Sequence, residues 1–225
     1  MNFICPRPKV FSNPDKDFTP EELSLILQKH DADLTGADFL YIFQSPVCAG
    51  TYQECAYFVP VILKRLSAKS PDDDIASMVD CFLNWVDHFA DQLKHDGWFD
   101  EIVAAVMDEA RLISNRFEGE SADGSIFSEI FDKLNDGRSF DHAGDKLLEE
   151  ILAEPLCYDN AAWFFYLLEW FYANLYQNSE LLRRLAADEQ FKERARDVIL
   201  KEIISRNDEQ LMSYWEEVLT RCGVL

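Results

Sequence analysis

The sequence has few basic residues, few glycines and few prolines. Against 42 Asp and Glu there are only 21 Lys and Arg, which gives a net charge of −21. Binding to a nucleic-acid backbone or to an anionic membrane surface would bring like charges together, so the composition argues against both partners. Glycine and proline number eight each, and no internal repeat is visible, which argues against a solenoid.

The sequence also lacks CxxC pairs, and we expect no signal peptide. Its six cysteines are irregularly spaced, and several lie in apolar runs, as Cys81 does in MVDCFLNWV, where a thiol behaves as a small buried hydrophobe. The opening MNFICPRPKVF has an arginine and two prolines where a signal peptide would have an apolar run. We therefore expect unpaired thiols and a cytoplasmic protein.

The common catalytic motifs are absent as well. The chain contains no GxGxxG, GxxxxGK[ST], GxSxG or HExxH, and no Glu-x-x-His pair of the type found in di-iron bundles. Residues 31–42, DADLTGADFLYI, begin like a calcium loop but place Ile42 where a bidentate Glu is needed. Asp38, three residues after Thr35, fits a helix cap better. We predict no cofactor.

Signals for helices dominate the chain. Hydrophobic residues make up 48% of it, enough for a real core. Thr19 to Glu22 and Thr51 to Glu54 read as capping boxes, and Pro60 should kink or divide the second helix. FLYIFQS (39–45) is ambiguous between strand and helix. We predict one all-α domain over residues 1–225, with about eight to ten helices and a surface loop or subdomain boundary at 118–125.

The segment WFFYLLEWFYANLY (163–176) has eight aromatic residues among fourteen. It is shorter than the roughly 20 residues needed to span a bilayer, and it lacks the basic polar face of a surface-lying helix. A helix that is apolar all round is enclosed by other helices, so we predict a central helix over about 160–177. Tyr and Trp edges should then reach polar partners. An aromatic pocket for a flat ligand is the alternative.

The negative charge is concentrated in the middle of the chain. Residues 70–160 contain 23 acidic and 6 basic residues, a net of −17, whereas 1–69 and 161–225 carry only −1 and −3. The helix that begins near Ser70 has an apolar seam and, opposite it, several aspartates. We predict an acidic face that binds a basic protein and comprises Asp72, Asp73, Asp74, Asp80, Asp87, Asp91, Asp141 and Asp145. The alternative is that the charge serves solubility alone.

A metal site is a second alternative for the same region. The side chains of His88, Asp91, His95 and Asp96 could offer nitrogen and oxygen ligands. The doublet His95-Asp96 is similar to the His-Asp doublet of all-α metal phosphohydrolases of the HD type. That resemblance implies a metal-bound water that attacks a phosphate ester, with a later acid such as Asp141 or Asp145 as the last ligand. Against it, open charged faces are usually only solvated.

These observations favour a non-enzymatic interaction protein, most concretely of the immunity or inhibitor type, with a basic protein as its partner. A metal-dependent hydrolase of HD-like type and a small-molecule-binding helical protein are the alternatives. The two main hypotheses differ in where the function lies: in exposed carboxylates for the first, and in a coordination shell for the second.

Overall fold

The prediction of an all-α fold is confirmed. A computed structural model describes residues 5–12, 19–44, 49–68, 75–117, 122–153 and 155–225, and these ranges contain thirteen α-helices, one short 3-10 helix at Asp31–Asp33 and no strand. The α-helices are α1 Pro20–Gln28, α2 Gly36–Phe43, α3 Tyr52–Ala56, α4 Val59–Ala68, α5 Ile75–His88, α6 Ala90–His95, α7 Phe99–Ser114, α8 Ala122–Asp136, α9 Ala143–Ala153, α10 Tyr158–Tyr172, α11 Glu180–Ala186, α12 Glu189–Arg206 and α13 Glu209–Arg221.

Helix starts follow the local signals of the sequence. Thr19 and Thr51 each form a complete capping box, in which the hydroxyl accepts a backbone N–H and the acid three residues later accepts the N–H of the threonine. Thr35 and Asp38 form a third box at the start of α2. The ambiguous run at 39–45 is therefore helical as far as Phe43, since a helix is already started at Gly36.

Helix ends and breaks are less clearly marked by nearby residues than helix starts. Such breaks explain why the described residues contain more helices than predicted. The second predicted helix divides just before Pro60, which lies in the first turn of α4. The predicted break near Asp188 is confirmed, because the Asp188 side chain caps α12. A further break lies at Phe89, between α5 and α6, and no proline or glycine marks it.

The chain forms two compact units. The first comprises the described residues of Met1–Glu109 with Gly137–Phe140, and the second those of Ala110–Asp136 with Asp141–Leu225. The loop or boundary was predicted at 118–125, but α8 begins at Ala122, so residues 122–125 are helical. Residues 118–121 lie outside the described part of the chain, so a loop or boundary there stays a prediction, as does the single domain over 1–225.

In the first unit, α2 packs against α5. Phe43 of α2 is fully buried, and its ring meets those of Phe82 and Trp85 of α5 edge to face, at centroid distances of 5.2 and 5.3 Å. Such pairs add stabilisation beyond the area they bury. Tyr52 of α3 stacks on Trp85 from another side, at 5.8 Å. The aromatic residues of α5 thus lie in the core of this unit, while its aspartates Asp80 and Asp87 are half-buried.

In the second unit, α10 is the central helix. It contacts α9, α11, α12 and α13, and residues 161–168 are buried on every side. The indole of Trp163 donates to the carbonyl of Ser114 (3.1 Å), and the indole of Trp215 donates to the hydroxyl of Tyr158 (3.0 Å). The prediction that ring edges in this helix reach polar partners is confirmed at these positions.

The aromatic helix ends five residues earlier than predicted, at Tyr172. Asn174 and Tyr176 both adopt positive φ angles, of 67° and 54°, which a helix cannot contain. Residues from Trp170 to Leu175 are largely exposed, so the fully buried part of the segment is its first half. Among the residues that the structure describes, no helix combines the length and the apolar character that crossing a bilayer requires.

This difference within one segment gives a matched test of the central helix. Replacing Leu168, which is 0% exposed, by alanine should lower the free energy of unfolding by about 2–5 kcal/mol, because it removes buried methyl groups and leaves a cavity. Replacing Leu175, which is 47% exposed, should change it by less than about 0.5 kcal/mol. Urea denaturation of the two variants measures both values, and equal losses would contradict the central position of residues 161–168.

Candidate functional site

The acidic residues predicted to bind a partner fall into three groups. Asp72, Asp73 and Asp74 lie outside the described residues. Asp80, Asp87 and Asp91 belong to the first unit, and Asp141 and Asp145 belong to the second. The geometry of each carboxylate shows whether its charge is engaged inside the protein.

The two aspartates of α5 are half-buried and engaged. Asp87 accepts a hydrogen bond from the backbone N–H of Ser139 at 2.8 Å, so its carboxylate holds a segment that is distant in sequence. Asp80 accepts one from the side-chain amide of Asn84 at 3.1 Å, one turn further along the helix. Both carboxylates therefore have a structural role besides any contact with a partner.

Asp145 is the most heavily engaged of the predicted residues. Its carboxylate accepts from the hydroxyl of Ser179 (2.5 Å) and from the backbone N–H groups of Glu180 (2.9 Å) and Leu181 (3.0 Å). These N–H groups open α11, where an anion is favoured by the helix dipole and by the unpaired donors. Asp145 on α9 thus caps α11 from outside that helix.

Asp141 has the opposite environment. Its side chain is 88% exposed, and its only ion pair among the described residues is with Lys146 at 2.9 Å. The hydrogen bond and the charge of Lys146 lower the pKa of Asp141, which keeps the carboxylate ionised. An exposed pair of this type contributes little to stability.

A group of exposed carboxylates lies along α6, at its C-cap and in the first turn of α7. Asp91, Asp96, Asp100 and Glu101 are all exposed, and we call them the acidic segment. Within the described part of the chain, no hydrogen-bond donor or cation engages the side chain of Asp91, Asp100 or Glu101. Lys94 is the basic residue of this stretch, and its Nζ lies 4.6 Å from the centroid of the Phe99 ring.

Asp100 and Glu101 were not among the residues predicted to bind a partner. The helix that the sequence predicts to begin near Ser70 stops at Gly97. Asp100 and Glu101 come after that glycine, so they belong to the next predicted helix and not to the predicted acidic face. The structure adopts a positive φ of 75° at Gly97 and begins α7 two residues later. Counting acidic and basic residues over 91–101 would have identified Asp100 and Glu101, because this stretch has four acidic residues and one lysine.

The metal alternative predicted four ligands, His88, Asp91, His95 and Asp96. His88 ends α5, and its ring lies edge to face with that of Phe89 at 4.6 Å. Asp91 and His95 lie on α6, and Asp96 accepts a hydrogen bond from the hydroxyl of Tyr52 at 2.8 Å. In the described ranges, no group of three or more His, Cys, Asp and Glu side chains is arranged to hold a metal ion. The described residues therefore offer no coordination shell for the HD-like hypothesis.

The aromatic alternative concerns α10. Its buried rings are in contact with other aromatic rings of the protein. The ring centroids of Trp163 and Phe127 are 4.3 Å apart, and those of Phe164 and Phe191 are 5.0 Å apart. These contacts explain the aromatic content of the helix by packing alone. A ligand pocket on this helix stays a prediction.

Comparison of the chain with protein-family models, with curated proteins and with solved structures gives no match.

The contrast between the two aspartates of the second unit can be measured. Changing Asp145 to asparagine should lower the free energy of unfolding by about 1–3 kcal/mol, because a neutral amide replaces a charged acceptor of three hydrogen bonds. The same change at Asp141, an exposed residue at positive φ where asparagine is tolerated, should leave the stability unaltered. Urea denaturation checks both, and an unaltered D145N variant would show that the cap is dispensable.

Proposed function

We propose that the chain is a non-enzymatic, cytoplasmic interaction protein whose acidic segment binds a basic protein, most concretely in an immunity or inhibitor role. The observation that supports this proposal is the exposure of Asp91, Asp100 and Glu101 without a cation or a hydrogen-bond donor among the described residues. Other carboxylates of the chain, such as Asp87, Asp145 and Asp38, are engaged by N–H groups, hydroxyls or cations.

The local composition strengthens the field of this segment. Residues 75–109 contain eight acidic residues and one basic residue, Lys94, a net of 1 − 8 = −7. A negative potential of this kind accelerates encounter with a positively charged partner and disfavours wrong partners. Exposed rim charges chiefly set the association rate and its dependence on salt, whereas affinity depends on buried contacts.

The test should neutralise the acidic segment without disturbing the fold. Asp87 and Asp145 are poor choices, because both hold backbone N–H groups and their loss would change the structure. The combined variant Asp91→Asn, Asp100→Asn and Glu101→Gln removes three charges that have no partner in the described part of the chain. A control variant, Glu193→Gln, Glu209→Gln and Glu216→Gln, changes the net charge equally at exposed residues of the second unit.

We expect the immobilised protein to retain basic proteins from native lysate at about 0.1 M salt and to release them at about 1 M, where the screening length falls from about 10 Å to about 3 Å. The segment variant should lose this retention and the control variant should keep it. Quantitative mass spectrometry of the bound fraction measures both. Equal retention by the two variants, or a bound fraction that is not basic, would refute the proposal.

A further inference from the structure

A pocket lies beside the acidic segment in the first unit. It has a volume of about 530 Å³, and Asp96 of the acidic segment is part of its wall. The other lining residues come from residues 5–8, from residues 51–54 at the beginning of α3, and from Trp98. The pocket therefore joins an exposed carboxylate to an aromatic wall.

The aromatic wall is built by stacking. Tyr52 stacks on both Trp85 and Trp98, with centroid distances of 5.8 and 6.5 Å and interplanar angles of 6° and 18°. Trp85 and Tyr52 are buried, whereas Trp98 is half-buried. Trp98 is thus the most exposed ring of the three, and its indole is stacked on Tyr52.

The carboxylate of Asp96 is also held in place. Its Oδ2 accepts the hydroxyl of Tyr52 at 2.8 Å, while no described residue engages its Oδ1. Burial, with the hydrogen bond to Asp96 and its charge, raises the pKa of Tyr52 well above its usual value. The phenol therefore stays a donor at every physiological pH, and it fixes one carboxylate oxygen while the other remains open.

The other charged residues that line the pocket, Arg7 and Glu54, do not engage Oδ1 of Asp96. Arg7 is committed to Asp31, with Nη1 2.6 Å from Oδ1, and also donates to the carbonyl of Lys29. Glu54 accepts from the backbone N–H of Thr51 (2.8 Å) and from Ser12, whose N–H is 3.0 Å away. Among the lining residues, Asp96 is the carboxylate with an oxygen left open.

A fixed indole and a fixed carboxylate together suit a planar cation. A guanidinium group stacks on an aromatic face and donates in-plane hydrogen bonds to a carboxylate, whereas an ammonium is a compact, strongly hydrated point charge. A phosphate or a carboxylate would be repelled by Asp96 and by the net charge of residues 75–109. A metal ion would find a single open carboxylate, which is too few ligands.

We infer that this pocket receives an arginine side chain of the basic partner, with the guanidinium stacked on Trp98 and paired with Asp96. The inference rests on the proposed function and refines it: the acidic segment attracts the partner, and the pocket supplies one buried contact. Arginine and tryptophan are the residue types that most often dominate binding energy at interfaces.

The test uses N-acetyl-arginine amide as the probe, followed by the indole N–H signals in ¹H–¹⁵N NMR spectra. The variant Trp98→Phe identifies the signal of Trp98 among the five tryptophans. We expect this signal to shift with a dissociation constant on the order of millimolar, as suits one stacked ion pair. The neutral isostere N-acetyl-citrulline amide should leave it unmoved.

Two matched variants assign the carboxylate. Asp96→Asn keeps an acceptor for the Tyr52 hydroxyl, so the pocket should stay folded, but the response to the arginine probe should be lost. Asp91→Asn removes the same charge from the acidic segment outside the pocket lining and should keep the response. An equal response to citrulline, a full response in D96N, or no response in the wild-type protein would overturn the inference.

The two proposals fail in different ways. A wild-type protein that retains basic proteins through Asp91, Asp100 and Glu101 but ignores the arginine probe would overturn the pocket and leave the proposed function standing. Conversely, a Trp98 signal that responds to arginine in a protein that retains no basic partner would overturn the proposed function and support an arginine site by itself.

Discussion

The shortage of cations is the constraint on which this structure depends. With 42 acidic and 21 basic residues, at least half of the carboxylates cannot have a cation of their own. The chain engages many of them through N–H and O–H donors instead. Glu22, Asp38 and Glu54 close capping boxes, and Asp188 and Asp208 cap α12 and α13. Ion pairs are thus one of several ways in which this chain engages its carboxylates.

This sorting separates carboxylates that hold the fold from carboxylates that are exposed and have no partner among the described residues. Asp38 is 6% exposed and receives both Lys29, at 2.7 Å, and the donors of its own capping box. A buried charge must be paired and hydrogen-bonded to be tolerated, and Asp38 is both. Asp91 lies in the same unit but is exposed, so its charge is solvated and needs no partner within the protein.

Helix starts could be predicted from the sequence, because a capping box involves residues three apart and needs no knowledge of the tertiary structure. The end of α5 could not, since no proline or glycine marks the break at Phe89. The end of α10 does have a local signal, the exposed Asn174 at a positive φ of 67°, a conformation that asparagine adopts at helix ends. The enclosed position of residues 161–168 followed from the absence of a polar face. Each of these predictable features depends on the residues of a single helix.

The candidate site was predicted only in part, for a related reason. The excess of aspartate was visible, but which aspartates are engaged depends on partners remote in sequence: Ser139 for Asp87, and Ser179 to Leu181 for Asp145. The pocket at Asp96 brings together residues 5–8, 51–54 and 96–98, and no motif in the sequence connects them. Single-sequence patterns carry no information on such pairings.

The cap that Asp145 provides also bears on the order in which the second unit forms. At seven residues, α11 is far shorter than the roughly 12–15 that an isolated helix needs to be even marginally stable in water. Its first turn is completed by a carboxylate on α9, a neighbour with which it is in contact. We expect α11 to be a dependent element, ordered after α9 during folding and released with it when the unit opens locally.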